Sequence, residues 1–146
     1  MIMIIDDPHL ATVAGWVGKT YAEMEALFPR RTGAPTKQWQ AGMRGCWNLA
    51  RASYALRGDE LPEEYHAALD ARMFRTVFEP APWDLVPICN HRLSIVTHVA
   101  LVLPHSLIIH ALEEHNVVAH PVTREPWWSR VARDENGRRG YLRRRT

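Results

Sequence analysis

Two cysteines and eight histidines stand in a chain of 146 residues, and one ordered set among them has the types that thiol chemistry needs. Cys46 opens an amphipathic segment, and His98 and His110 follow on separate apolar runs. A cysteine nucleophile requires a base to take its proton and a third group to orient that base. The order Cys, His, His supplies one candidate for each role. At the head of a helix, Cys46 would meet unpaired backbone N–H groups and the positive end of the helix dipole, both of which favour thiolate over thiol. The same N–H groups could bind the oxyanion of a tetrahedral intermediate. A buried structural cysteine and two hydrogen-bonded core histidines are the plain alternative.

The elements around these residues must position them. Residues 9–28 read as one helix, with Leu10, Val13, Val17, Tyr21, Met24 and Leu27 at helical spacing and Pro29 as its end. "RRTGAPTKQWQAGMRG" follows as a loop. A second helix is predicted over 46–56, with Leu49, Ala52 and Leu56 on one stripe and Gly58 as its C-cap. "LPEEYHAALDARMF" predicts a third helix with Pro62 in its first turn. Beyond "EPAPWD" the pattern changes to short runs rich in Val, Ile and Leu at 85–88, 93–103, 107–112 and 116–122, with "GYLRRR" as a last strand. Helices first and strands second predict an α+β domain, an antiparallel sheet with helices packed against it.

His98 shares a strand face with Val96, Ala100 and Val102, and the opposite face is apolar too, so this strand belongs in the sheet interior. An imidazole there is costly without a partner. His110 falls on the face of Ile108 and Leu112, and a tight turn around residues 104–106 would lay the two strands together and bring the rings into contact.

Composition bounds the function. An apolar content of 47% and a charged content of 23% are those of a soluble globular protein, and a formal charge of +2 gives no argument for nucleic acid. Two cysteines make no disulfide framework. The start, "MIMIIDDPHL", lacks a basic region and meets Asp6 and Asp7 after five apolar residues, so it predicts cytoplasmic synthesis without a secretory signal. The longest apolar stretch is interrupted by Pro104 and histidines, and no membrane insertion is expected.

Five segments in order carry a family resemblance. "RGCWNLARASYALRGDELPEEY" resembles the nucleophile segment of the NlpC-type cysteine peptidases, above all the bacteriophage tail branch with its "DCWGLVR…Y…G.ELP.Y" pattern. "APWDLV" is similar to that family's "PGDLV" step, and "THVALVLPHSLIIHALEEHNVVAHP" to its "HVGIVLG…LHA…GVV". "PWWSRV" and "GYLRR" are similar to the branch's ending. The resemblance spans residues 33–145 and implies one papain-like NlpC-type domain over 1–146, with a helical part at 1–32 and a catalytic core at 33–145. It implies a Cys46, His98, His110 triad, and substrate contacts at Trp39 and Trp47, without metal or organic cofactor. The implied substrate is the peptidoglycan stem peptide, cut between the γ-carboxyl of D-glutamate and a diamino acid. Tail proteins are the implied partners, and delivery in the virion would replace secretion.

The chain departs from the family where Gly45 stands for Asp, Asn48 for Gly, Ala100 for Gly, and Trp83 for the Gly of "GD". Those changes motivate a second reading, a structural tail-assembly protein that keeps the fold without activity. Other features have competing explanations. Cys89 with His91, or His110, His115 and His120, could form a zinc site, although His115 and His120 are expected in an exposed hairpin. Arginines 138, 139, 143, 144 and 145 are expected to be solvated or to hold an anionic polymer. Trp127 and Trp128 fit either a groove or a packing role.

Overall fold

Asp7 starts the first helix, α1 (Pro8–Ala14): its Oδ1 accepts the N–H groups of His9 and Leu10 at 2.9 and 3.1 Å. The computed structural model describes residues 4–28, 43–113 and 115–146, and it divides the helix predicted over 9–28. The chain turns after Gly15, Gly18 takes a φ of 97°, and Thr20 opens α2 (Tyr21–Ala26) through a capping box with Glu23. Two glycines and a Thr-x-x-Glu signal outweigh the apolar periodicity that runs through them.

The central helix, α3 (Arg44–Leu56), buries Cys46, Trp47, Asn48, Leu49 and Ala50 in succession. It ends as expected: Gly58 has a φ of 77°, and the N–H groups of Gly58 and Asp59 bond to the Ala55 and Tyr54 carbonyls. The third predicted helix is shorter. α4 covers Tyr65–Asp70, Arg72 turns the chain at a φ of 55°, and Phe74 begins a strand instead. That strand, β1 (Phe74–Val77), forms because a distant partner, β6 (Tyr141–Arg144), satisfies its backbone.

Between them lie β2 (Leu85–Cys89), β3 (Val96–Leu103), β4 (Leu107–Ala111), β5 (Val117–Pro121) and a short helix, α5 (Trp127–Arg130). All pairings are antiparallel in one sheet of order β1-β6-β2-β3-β4-β5, so β3 is interior as predicted. His105 and Ser106 take φ values of 67° and 57°, the handedness that suits a tight hairpin between β3 and β4.

Side chains alternate across the sheet. Val99, Leu101, Leu103, Ile109, Ala111 and Val117 pack against the N-terminal helices together with Leu10, Met24, Cys46 and Leu49. Ala100, Val102, Ile108, Val86 and Ile88 face the other way, beneath Val122, Val131, Trp127 and Trp128. Val96 joins the helix side, contrary to its predicted face, because the β2–β3 register slips between Ile88 and Cys89.

The C-terminal arginines are largely engaged in the fold. Arg143 grips buried Asp84 with two bonds of 2.9 Å, and Arg144 grips Asp59 at 2.7 and 3.0 Å. Arg138 pairs with Asp134, while Arg139 lies 3.7 Å above the Trp128 ring. The expectation of solvated arginines is corrected for Arg143 and Arg144, whose guanidinium groups are tied to Asp84 and Asp59, while Arg138 stays largely exposed. Among the described residues no helix is long and apolar enough to cross a membrane.

Candidate active site

Cys46 lies in the first turn of α3, where the sequence places it, but the residue is 1% exposed and its sulfur donates to the Met43 carbonyl at 3.1 Å. Burial dominates its ionisation and pushes the thiol up to about 12, although the N–H groups of Val99, Trp47 and Cys46 itself pull the other way. The resting site therefore holds a thiol, where helix-head electrostatics alone predicted a thiolate.

The cause lies in α2, which crosses the head of α3. A methyl group added at Gly45 would meet the Tyr21 ring at 2.5 to 2.7 Å, so only glycine leaves room for that ring. The Tyr21 hydroxyl lies against the Gly45 N–H. Asn48, 2% exposed, donates its amide to the Met24 and Glu25 carbonyls at 3.1 and 3.0 Å. Two departures from the family pattern thus serve one contact, the docking of α2.

The hairpin brings the predicted histidines together. His98 Nε2 lies 2.6 Å from His110 Nδ1. The chain then continues: His110 Nε2 lies 2.8 Å from His120 Nε2, and His120 Nδ1 lies 2.9 Å from the Pro121 carbonyl. His110 and His120 are buried, while His98 is half-buried. Burial pulls His98 down to about 4, and burial with neighbouring rings lowers His110 further. Trp127 covers the first two rings, with centroids 5.5 Å from His98 and 4.9 Å from His110.

Cys46 approaches this strand from the helix side, at the N–H of Val99, which follows His98 in sequence. Among the described residues no hydrogen bond joins the sulfur to either ring. Chemically, the site offers a neutral thiol beside β3 and a neutral imidazole whose Nε2 is already engaged.

Sequence reasoning missed His120. It was expected in an exposed hairpin, yet it is 4% exposed and stands opposite Ile108 in the β4–β5 register. Alternation along "VVAHP", which sets His120 on the face of Val118, is the signal that could have found it. Trp47 is corrected: it is fully buried, donates to the Pro62 carbonyl at 3.0 Å and meets Tyr65 edge-on, so it belongs to the core rather than to a groove. Trp39 lies outside the described residues.

The zinc alternative does not match the ring positions. His110 and His120 spend their facing nitrogens on each other, and among the described residues no three His, Cys, Asp or Glu side chains gather as a metal site. At the Trp83–Asp84 step, Trp83 takes a left-handed backbone conformation, with a φ of 77°. Its indole donates to Asp7 at 2.8 Å, its carbonyl accepts the Tyr54 hydroxyl, and Arg57 stacks on it.

No protein-family model matches the sequence, and no curated protein sequence matches it. Solved structures do. An NlpC/P60 family protein from Bacillus cereus is similar with a TM-score of 0.54 and 19% identity, over 68% of this chain and 31% of that one. A protein described as similar to a lipoprotein, NLP/P60 family, from Staphylococcus aureus gives a TM-score of 0.51 and 19% identity, over 88% of this chain and 41% of that one. The chain thus spans less than half the length of either protein. The arrangement of helices on an antiparallel sheet described above is the fold of the NlpC/P60 proteins.

Proposed function

We propose that this chain is a cysteine peptidase acting on amide bonds of the peptidoglycan stem peptide, with Cys46 as nucleophile, His98 as base and His110 as its orienting partner. The observation that carries this reading is the 2.6 Å contact between His98 and His110 on neighbouring strands, beside the strand residue that meets the Cys46 sulfur. A hydrophobic sheet gains nothing from two such rings that aliphatic side chains would not supply more cheaply. Proton transfer from the Cys46 thiol to His98 would accompany attack on the substrate carbonyl, and the protonated ring would then deliver that proton to the leaving amine. Water would hydrolyse the thioester and restore the thiol. The γ-D-glutamyl–diamino acid bond is the proposed target, and a phage or prophage tail the proposed setting, both on the strength of the sequence resemblance.

One observation favours a second reading, a non-catalytic protein of the same fold: the sulfur is buried, protonated and bonded to its own helix. Purified peptidoglycan incubated with the wild type and with Cys46→Ala separates the two. Stem fragments released by the wild type alone, identified by mass spectrometry, support the peptidase. An inert wild type in which iodoacetamide modifies Cys46 no faster than Cys89 supports the structural protein.

A further inference from the structure

We infer that His120 is a fourth, positioning member of the site, whose ring fixes the protons of His110 and His98 so that the lone pair of His98 is carried on Nδ1.

The argument starts at a backbone carbonyl, which can only accept. His120 Nδ1, 2.9 Å from the Pro121 carbonyl, must therefore be the N–H of its ring. In the uncharged form of the three rings each imidazole has one N–H, and His120 Nε2 is then an acceptor. His110 Nε2, 2.8 Å away, must then donate to it, which leaves His110 Nδ1 as an acceptor. That nitrogen lies 2.6 Å from His98 Nε2, which must donate in its turn. The tautomer of every ring follows from one carbonyl, and Nδ1 of His98 is left with the lone pair a base requires. Among the described residues no hydrogen bond engages that nitrogen.

The surroundings keep the order from scrambling. His110 is fully buried and His120 nearly so, which leaves the rings few other partners to pair with. Trp127 stands edge-on to His110 with an interplanar angle of 88°, and His120 meets His110 at 75°. In the peptidase proposed above, on which the functional half of this inference rests, the arrangement presets His98 to accept at Nδ1 and passes part of the resulting charge to His110, His120 and the carbonyl. Without His120, the His110 ring has a buried nitrogen that lacks its acceptor, and the opposite tautomer becomes as good as the present one.

The test is the tautomer pattern, read from protein labelled with nitrogen-15 histidine in a two-bond proton–nitrogen correlation spectrum above the ordinary imidazole range. The wild type should show His98 and His110 as Nε2–H and His120 as Nδ1–H. A His98 ring found as Nδ1–H, or an even mixture, overturns the inference without any activity measurement. His120→Leu should scramble the His98 and His110 signals and lower kcat on stem-peptide substrate about 10- to 100-fold at nearly constant KM, the loss expected when an outer orienting partner is removed. His120→Gln, whose side-chain oxygen can accept from His110, should restore both. If the leucine variant retains the wild-type pattern and kcat, His120 is not a positioning residue. If that variant does not fold, the wild-type spectrum and the glutamine variant decide. An inert wild type with the expected pattern overturns the peptidase reading and leaves the proton order standing, whereas an active wild type without the pattern overturns the inference.

Discussion

Replacing Gly45 by alanine should destabilise the protein, although the same change inside a helix ordinarily stabilises by about 1 kcal/mol. The added methyl would sit 2.5, 2.6 and 2.7 Å from three Tyr21 ring atoms, against about 3.5–4.0 Å for carbon atoms in ordinary contact. Either the ring or the head of α3 must then move by roughly 1 Å, and forced overpacking of this kind costs about 1–3 kcal/mol. Tyr21 is 8% exposed, so moving its ring disturbs packed neighbours. The net loss should be up to about 2 kcal/mol after the helix gain, a fall of up to several degrees in Tm for a chain of this size. Urea and thermal melts of wild type, Gly45→Ala, Tyr21→Ala and the double variant give the coupling directly. With the ring removed, Gly45→Ala should become neutral or stabilising. A higher Tm for the single variant, or an equal loss in both backgrounds, would refute the claim that Tyr21 is the reason for glycine.

Three further perturbations follow from the same contacts. Arg143→Met should cost about 3–5 kcal/mol in urea melts, since Asp84 at 1% exposure would be left as a buried unpaired charge, and adding Asp84→Asn should recover part of it. Stability should fall as pH is lowered from about 6.5 towards about 4, because the unfolded chain takes up the His98 proton first while the folded ring resists it. That contribution is complete above 6.5 and amounts to up to about 3 kcal/mol at 1.36 kcal/mol per pKa unit, so a flat urea midpoint across this window would contradict a His98 ring that stays neutral in the fold. Trp83→Gly should relieve a left-handed backbone worth about 1 kcal/mol yet lower stability overall, through loss of the Asp7 bond and the Arg57 stack; a raised Tm would show that strain outweighs those contacts.

The parts of this molecule that were legible in the sequence are those fixed by local pattern. Gly58 marked the end of α3, the run around His98 marked an interior strand, and the short connection at 104–106 predicted the meeting of His98 with His110. What was not legible depended on partners far along the chain. Phe74–Val77 becomes a strand because Tyr141–Arg144 lies beside it, while propensity alone extended the preceding helix into it. Cys46 loses the thiolate expected of a helix head because α2 and β3 cover it, and desolvation outweighs the N–H groups that surround the sulfur. Trp47 reads as a groove residue next to a nucleophile, but the side chain is fully buried and its indole N–H donates to the Pro62 carbonyl. Gly45 and Asn48 read as losses until the docking of α2 gives each a use.

The place of β6 in the sheet has a consequence for how the molecule comes into being. The strand is late in the chain, yet it is wedged between β1 and β2, whose residues precede it by more than fifty positions. Nascent chains lacking Tyr141–Arg144 carry two open strand borders and an Asp84 carboxylate stripped of its guanidinium clasp. Ribosomal stalling or proteolytic clipping upstream of Tyr141 would therefore yield sticky, degradable fragments rather than a smaller version of the protein.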